Sequence, residues 1–188
     1  MPHNDKKIVL KTERLILREW REDDLLAFAE LNADPAVMRH FPRTLTRADS
    51  DQLASRIRSQ FDSHGYGLWA VEIPDVASFI GFVGLAIPTF DAHFTPCVEV
   101  GWRIARSHWR KGHATEAAER AVSFGFSELD LEEIVSLTVP ANAASRRVME
   151  KIGMHHNPDD DFDHPRLPKG HPLQRHVLYR LRTNKAIA

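Results

Sequence analysis

Apolar residues in this chain recur with two different periods, and the switches between them mark out the elements. Arg14-Leu15-Ile16-Leu17-Arg18-Glu19-Trp20 sets apolar side chains between charges and predicts a first strand. Glu22, Asp23 and Asp24 suit a helix start, and Leu25, Phe28, Ala29 and Asn32 follow at helical spacing until Pro35. Thr46-Arg47-Ala48-Asp49 reads as a capping box with Asp in the third helical position. Leu53, Ile57, Gln60 and Phe61 give that second helix one apolar face, and Gly65 and Gly67 end it. Strands are expected over residues 67–73 and 79–87, separated by a Pro74-Asp75 turn. The second of these is almost wholly apolar, which predicts a central strand. Its two glycines, Gly81 and Gly84, predict close packing or a bend.

The most informative stretch runs from Val98 to Ala118. Val98-Glu99-Val100-Gly101-Trp102-Arg103-Ile104 alternates like a strand, with Glu99, Gly101 and Arg103 on one face. A short basic segment ends at Gly112. Ala114, Ala117, Ala118, Ala121, Val122, Gly125 and Leu129 then repeat at helical spacing, and such small residues let a helix lie close to a sheet. Glu133-Ile134-Val135-Ser136-Leu137-Thr138-Val139 is the next expected strand, ended by Pro140. Asn142 is placed to cap a helix containing Ala144, Val148 and Ile152, closed by Gly153. A proline-rich irregular segment follows to Gln174, with room for one more strand just after Met154. Residues 175–181 alternate as a last strand. The order β α α β β β α β α β predicts a mixed α/β fold, largely antiparallel in its first half. No repeat or long linker divides the chain, so one domain is expected over residues 1–188.

Composition narrows the function classes. Of 188 residues 43% are hydrophobic, enough for a core, and the formal net charge of −1 argues against bulk electrostatic binding of nucleic acid. Cys97 is the only cysteine, so no disulfide forms within the chain and a reducing, cytoplasmic setting is expected. No apolar run approaches the length of a membrane span. The segment 155–164 is rich in His and Asp, but its spacing fits no defined metal site, so no metal is expected; an acidic loop attracting cationic acceptors is the expectation instead.

Strand, glycine turn and helix N-terminus in succession form a place where phosphate can rest on backbone N–H groups. Arg110, Lys111, Gly112, His113, Ala114 and Thr115 can supply those groups, with Gly112 and Ala114 small enough for close approach. No Walker loop and no Gly-x-Gly-x-x-Gly run is present, which argues against a nucleotide-binding protein.

Four motifs in order then resemble one family. Thr12-Glu13-Arg14-Leu15-Ile16-Leu17-Arg18 resembles the opening strand of the RimJ/RimL branch of the GNAT acetyltransferases. Glu99-Val100-Gly101-Trp102 resembles its fourth strand, and Trp109-Arg110-Lys111-Gly112-His113-Ala114-Thr115-Glu116-Ala117 its pyrophosphate loop. The run from Asn142 through Ser145 to Met154 resembles its fourth helix. The resemblance covers roughly residues 10 to 182. One departure is Trp109, where the general pattern has Gln or Arg.

This resemblance implies acetyl-CoA as cosubstrate and an amine as acceptor. It implies a mixed, mostly antiparallel sheet of about seven strands flanked by about four helices, with strands four and five splayed to admit CoA. It also implies that Ile104 lends backbone groups to the pantetheine arm and that Asn142 contacts it from the other side; by composition alone Asn142 is equally a plain N-cap. An amine must lose a proton before attack, and Glu99 is the candidate base, its alternative being an ion pair with Arg103. Many GNAT enzymes carry a tyrosine as acid where this chain has Met149. Ser145 is the candidate to serve the thiolate, unless it is simply a helix-start serine. A peptide N-terminus and a small amine both remain open as acceptors, as do a monomer and a homodimer. A catalytically silent acyl-CoA-binding module is the competing class.

Overall fold

The computed structural model describes residues 8–183. The expected order of elements is present, with short strands added at the edges. The strands are β1 Leu10–Lys11, β2 Ile16–Arg18, β3 Leu68–Ile73, β4 Ala77–Ala86, β5 Glu99–Ile104, β6 Glu133–Thr138, β7 His155–His156, β8 Phe162–Asp163 and β9 Arg175–Arg182. The helices are α1 Asp24–Ala33, α2 Arg47–His64, α3 His113–Ser127 and α4 Ala143–Lys151. One sheet runs β1-β2-β3-β4-β5-β6-β9-β7, with β8 joined to β9. Every pairing is antiparallel except β5 with β6, which share the single register pair Glu99 and Val135. The splay therefore falls between β5 and β6, and the expected fourth strand is the fifth because Leu10–Lys11 pairs as a strand of its own.

Helices cover both faces. On one side α3 lays Ala117, Ala118, Ala121 and Val122 against Trp69, Val71, Leu85 and Val100, and α4 adds Met149 and Ile152 to this larger core. On the other side α1 and α2 pack Phe28, Leu31, Ala54 and Ile57 against Trp20, Ala70 and Phe82. The small-residue face works as its pattern implies: a Cβ at Gly125 would stand 2.7 Å from Ile134 Cδ1, so side-chain bulk there would lift α3 off the sheet. The two β4 glycines mark close packing too. At Gly84 a Cβ would meet the Gly67 carbonyl oxygen at 2.2 Å.

Thr46 and Asp49 form the expected capping box of α2, and Gly65 closes that helix at φ 74°. The first strand is shorter than the pattern suggested. Thr12 N–H donates to the Leu15 carbonyl, so residues 12–15 form a turn that the site uses.

Arg18, expected on a strand face, is buried. It donates to both Asp24 oxygens at 2.8 and 2.9 Å and to Glu72 at 2.7 Å, tying β2 to α1 and β3. Removing one partner of a buried ion pair strands the other. Asp24→Ala is expected to lower stability by about 3 kcal/mol in a urea titration, at the low end of that effect because Glu72 stays.

The His/Asp-rich segment is tied into the fold. Asp160 pairs with Arg180 at 2.8 Å, Asp161 with His156 at 2.7 Å and Asp163 with Arg175 at 3.5 Å. Three of the four carboxylates in residues 155–164 thus have partners, Arg180 and Arg175 on β9 and His156 on β7, so much of the segment's negative charge is met within the fold.

Candidate active site

The site begins with the edge of β5. Ala105 N–H donates to the Ile80 carbonyl, and the β4–β5 register is regular from there to Glu99. In an antiparallel ladder alternate residues bond to the same neighbour. Residues 99, 101 and 103 therefore spend their backbone groups on β4, while 100, 102 and 104 direct theirs toward β6. Val100 is met there: its carbonyl accepts from Ser136 Oγ at 2.9 Å. Beyond it β6 has diverged, leaving Trp102 N–H and C=O and Ile104 N–H without a ladder partner. The Ile104 carbonyl is taken, because Trp109 Nε1 donates to it at 2.7 Å. Ile104 thus offers one backbone group rather than two, and Trp102, which sequence reasoning passed over, offers a pair. The aromatic residue at the position of the usual Gln or Arg folds the loop back onto the strand.

That loop delivers the second part of the site. Gly112 N-caps α3 at φ 84°, a conformation that side chains with a Cβ adopt only at a cost. The amides of Gly112, His113, Ala114 and Thr115 have no acceptor among the described residues; the first intrahelical bond is Glu116 N–H to Gly112. These are the donors an anion needs at a helix N-terminus. Arg110 and Lys111 are exposed beside them. The His113 side chain is buried and kept neutral by burial first and by the Arg14 charge second, so its contribution is its N–H. The loop is held from the far end of the sheet. Glu116 accepts from Thr12 Oγ1 at 2.5 Å, from Arg14 N–H at 3.0 Å and from Arg14 Nε at 2.7 Å, and Arg14 Nη1 reaches the Lys111 carbonyl at 3.0 Å. The turn at residues 12–15 exists to make this clamp, which joins two of the sequence motifs into one structure.

The third part is the face of β5 toward α1 and α2. Glu99, Gly101 and Arg103 share it. Glu99 has no hydrogen bond and no ion pair among the described residues, and burial pushes its carboxyl up to about 7. The ion pair with Arg103 is not formed. Arg103 instead donates to Asn32 Oδ1 and lies over the rings of Phe41 and Phe82, at 4.3 and 5.3 Å. Between the two, a Cβ at Gly101 would meet nothing within 4 Å. An open cleft therefore lies over Gly101, with an unpaired carboxylate at one end.

Ser145 sits on the opposite face of β5. Trp102 Nε1 donates to its Oγ at 3.0 Å across the gap, and Ser145 N–H donates to Asn142 Oδ1 at 3.3 Å. Asn142 is thus an N-cap, with Nδ2 donating to Thr138 Oγ1 at 2.9 Å and one N–H of that amide to spare. Because the Ser145 oxygen accepts from the indole, its own O–H points elsewhere and has no acceptor among the described residues. Met149 is buried in the core, and Tyr179 is occupied by Arg146 and Glu150. The Cys97 thiol is pushed up to about 11, by burial first and then by the Glu99 charge, so it is no nucleophile at neutral pH. Among the described residues no cluster of His, Cys, Asp or Glu is placed to hold a metal ion, and no helix is long and apolar enough to cross a membrane.

The donor set fits a long ligand with an anionic end and amide groups along its arm: free amides at α3, then unpaired strand groups at Trp102 and Ile104. Known proteins agree. The uncharacterized N-acetyltransferase YnaD of Bacillus subtilis is 30% identical over 162 residues, 86% of this chain and 89% of that protein. The FsC-acetyl coenzyme A-N(2)-transacetylase of Aspergillus fumigatus is 33% identical over 154 residues, 78% of this chain and 65% of that one. A GNAT-family acetyltransferase structure from Bacillus anthracis matches with a TM-score of 0.77 at 27% identity, covering 93% of this chain and 98% of that one. The acetyltransferase (GNAT) domain profile matches residues 14–155. Since that match runs from Arg14, which clamps α3, to His155 beyond α4, it takes in every part of this site, and the chain belongs to the GNAT family of acetyl-CoA-dependent N-acetyltransferases.

Proposed function

We propose that this protein transfers an acetyl group to a primary amine by direct attack in a ternary complex, with Glu99 as general base and Ser145 serving the departing sulfur. The observation that carries the reading is the partnerless Glu99 carboxylate at the open cleft over Gly101. When bound, acetyl-CoA supplies an activated acetyl thioester. The amides of residues 112–115 would hold its pyrophosphate, with Arg110 and Lys111 adding charge, and Ile104, Trp102 and Asn142 would hold its pantetheine arm. A free α-amino group has a pKa of ~8 and a lysine side chain ~10.4, so the acceptor arrives protonated. Glu99 takes that proton, directly or through one water. The amine nitrogen then bonds to the carbonyl carbon as the carbon–sulfur bond breaks, and Trp102 N–H, aimed into the gap, stabilises charge on the carbonyl oxygen. The Ser145 O–H hydrogen-bonds the departing sulfur, and the second proton of the amine nitrogen passes to that thiolate, giving the neutral amide and the free thiol. Base and hydroxyl lie on opposite faces of β5, which matches a reaction in which the amine enters on one face and the thiol departs on the other.

The four ordered motifs favour a RimJ/RimL-like branch, and with it a protein N-terminus as one acceptor class. A small amine is the competing acceptor class; the name of the Aspergillus fumigatus relative specifies transfer from acetyl-coenzyme A to an N(2) position. Thiol release from acetyl-CoA, screened against N-terminal peptides, polyamines and amino acids, tests the reading. Release with any of them supports it; none from any amine, with acetyl-CoA still bound, overturns it in favour of a silent acyl-CoA-binding module. Ser145→Ala is expected to lower kcat about tenfold with little change in acetyl-CoA affinity, since a hydroxyl hydrogen bond to a charged group is worth about 1.5 kcal/mol. Single-turnover kinetics against calorimetry separate the two.

A further inference from the structure

Arg103 is enclosed between β5 and α1, yet nothing there neutralises it. A guanidinium has five N–H donors. One is used, toward the side-chain oxygen of Asn32, which itself is fully buried and held by Ser50 at 3.1 Å. Nε–H is buried with no partner. Nη2 makes no hydrogen bond and is not among the fully buried atoms. No carboxylate lies within ion-pair reach among the described residues. Burial lowers the group only to about 10, so it stays charged at neutral pH. Stacking on Phe41 and Phe82 softens the cost but satisfies no donor. Other arginines that bridge elements have a carboxylate or phenol partner: Arg18 has Asp24, Arg58 has Glu22, Arg180 has Asp160 and Arg146 has Tyr179.

The unused donors share one edge. Nε–H and one Nη2–H point the same way, but Nε is covered by its surroundings, so Nη2 is the unpaired donor that a ligand can reach. That donor belongs to a residue on the same face of β5 as Glu99, with the open space over Gly101 between them. The Cα atoms of Glu99 and Arg103 are four strand residues apart, about 13 Å. A ligand crossing this cleft meets a negative group at one end and a positive group at the other.

We propose that the acceptor is a primary amine carrying a carboxylate several bonds away, its amine at Glu99 and its carboxylate on Nη2 of Arg103. This rests on the acetyl-transfer reading and adds the charge pattern of the acceptor. Arg103 is then a specificity-determining residue, and the segment containing Phe41 forms one wall of the acceptor cleft.

Matched acceptors test it: aminobutyrate against butylamine and aminohexanoate against hexylamine, amines of similar basicity that differ in the carboxylate. Thiol release is measured with wild type, Arg103→Gln and Arg103→Lys. In wild type kcat/KM is expected to be about 10- to 100-fold higher for the carboxylated partner of at least one pair, the size of a charge-assisted contact. Arg103→Gln should collapse that ratio to within about threefold, whereas Arg103→Lys, which keeps the charge without the guanidinium, should retain part of it. If Arg103→Gln fails to fold by circular dichroism, the wild-type ratio and the lysine variant still decide. A purely structural Arg103 would depress both members of a pair alike and leave the ratio standing, which overturns the proposal. A wild-type ratio at or below one also overturns it, while thiol release from the alkylamines leaves the acetyl-transfer reading in place. Release from no amine at all, with acetyl-CoA bound, removes both.

Discussion

Glu99→Gln is expected to lower kcat/KM by about 10²- to 10⁴-fold while acetyl-CoA binds as before, the usual range for loss of a general base. The amide keeps the shape of the carboxylate and removes only its basicity. Among the described residues Glu99 meets no cation and accepts no hydrogen bond, so its ionised form is disfavoured, and burial raises it from 4.5 to about 7. Three consequences separate this role from a structural one. First, kcat/KM for the parent should rise with pH through a limb near 7, as the carboxylate becomes available, and the variant should lose that limb. Second, the amine's own ionisation at higher pH should remain in both. Third, stability moves the other way. A carboxyl raised in the folded state binds its proton more tightly there than in the unfolded chain. Stability is therefore greatest at low pH and falls as pH rises through the window from about 4.5 to about 7. Glutamine has no such dependence, so above pH 7 the variant should be more stable than the parent by about 1–3 kcal/mol in urea titrations. A variant that loses activity without losing the pH limb, or without gaining stability, removes Glu99 from the role of base.

Gly112→Asp should reduce acetyl-CoA affinity more than 100-fold, measured by calorimetry, with a stability loss of only about 1 kcal/mol. The small stability cost follows from the conformation. Gly112 sits at φ 84°, and aspartate is among the side chains that tolerate this region best. The large binding cost follows from charge and place. A Cβ at Gly112 lies 3.2 Å from Arg14 Nη2, so the new carboxylate would dock on the clamp and lie over the free amides of residues 112–115. It would repel the pyrophosphate from the donors assigned to it. Unchanged affinity would remove the loop from the cofactor site.

The parts of the site that were legible in the sequence are those made by neighbours in the chain. Gly112 followed by small residues could be read as an anion cradle because successive amides are adjacent by construction. Asn142 could be read as a cap of α4 because its acceptor, Ser145 N–H, is three residues away. Thr46 and Asp49 are legible for the same reason. The strand face shared by Glu99, Gly101 and Arg103 follows from a period of two, which β5 keeps because its register with β4 has no bulge. Where the reading fell short, the partners are far apart. The Trp102 indole meets Ser145 across 43 residues, Arg103 meets Asn32 across 71, and Arg14 meets Glu116 across 102. Nothing local distinguishes these from ordinary surface polar residues. The pairing of the acidic loop was hidden for this reason too: Asp160 and Asp163 look like a charge run in sequence, and β9 supplies Arg180 and Arg175 as their partners.

Sequence by itself determined the order of elements, the glycine turn and the caps, because periodicity, backbone conformation and hydrogen bonding to near neighbours depend on a few consecutive residues; the cosubstrate followed only from the family resemblance of four ordered motifs. Tertiary structure alone decided which charges survive unpaired. Arg18 and Arg103 are both strand arginines in sequence. Folding brings Asp24 and Glu72 to the first and, among the described residues, only the neutral Asn32 as a hydrogen-bond partner to the second, so one becomes a fastener and the other keeps an unpaired charge. The availability of a buried charge depends on which elements pack around it, and a one-dimensional pattern does not carry that information.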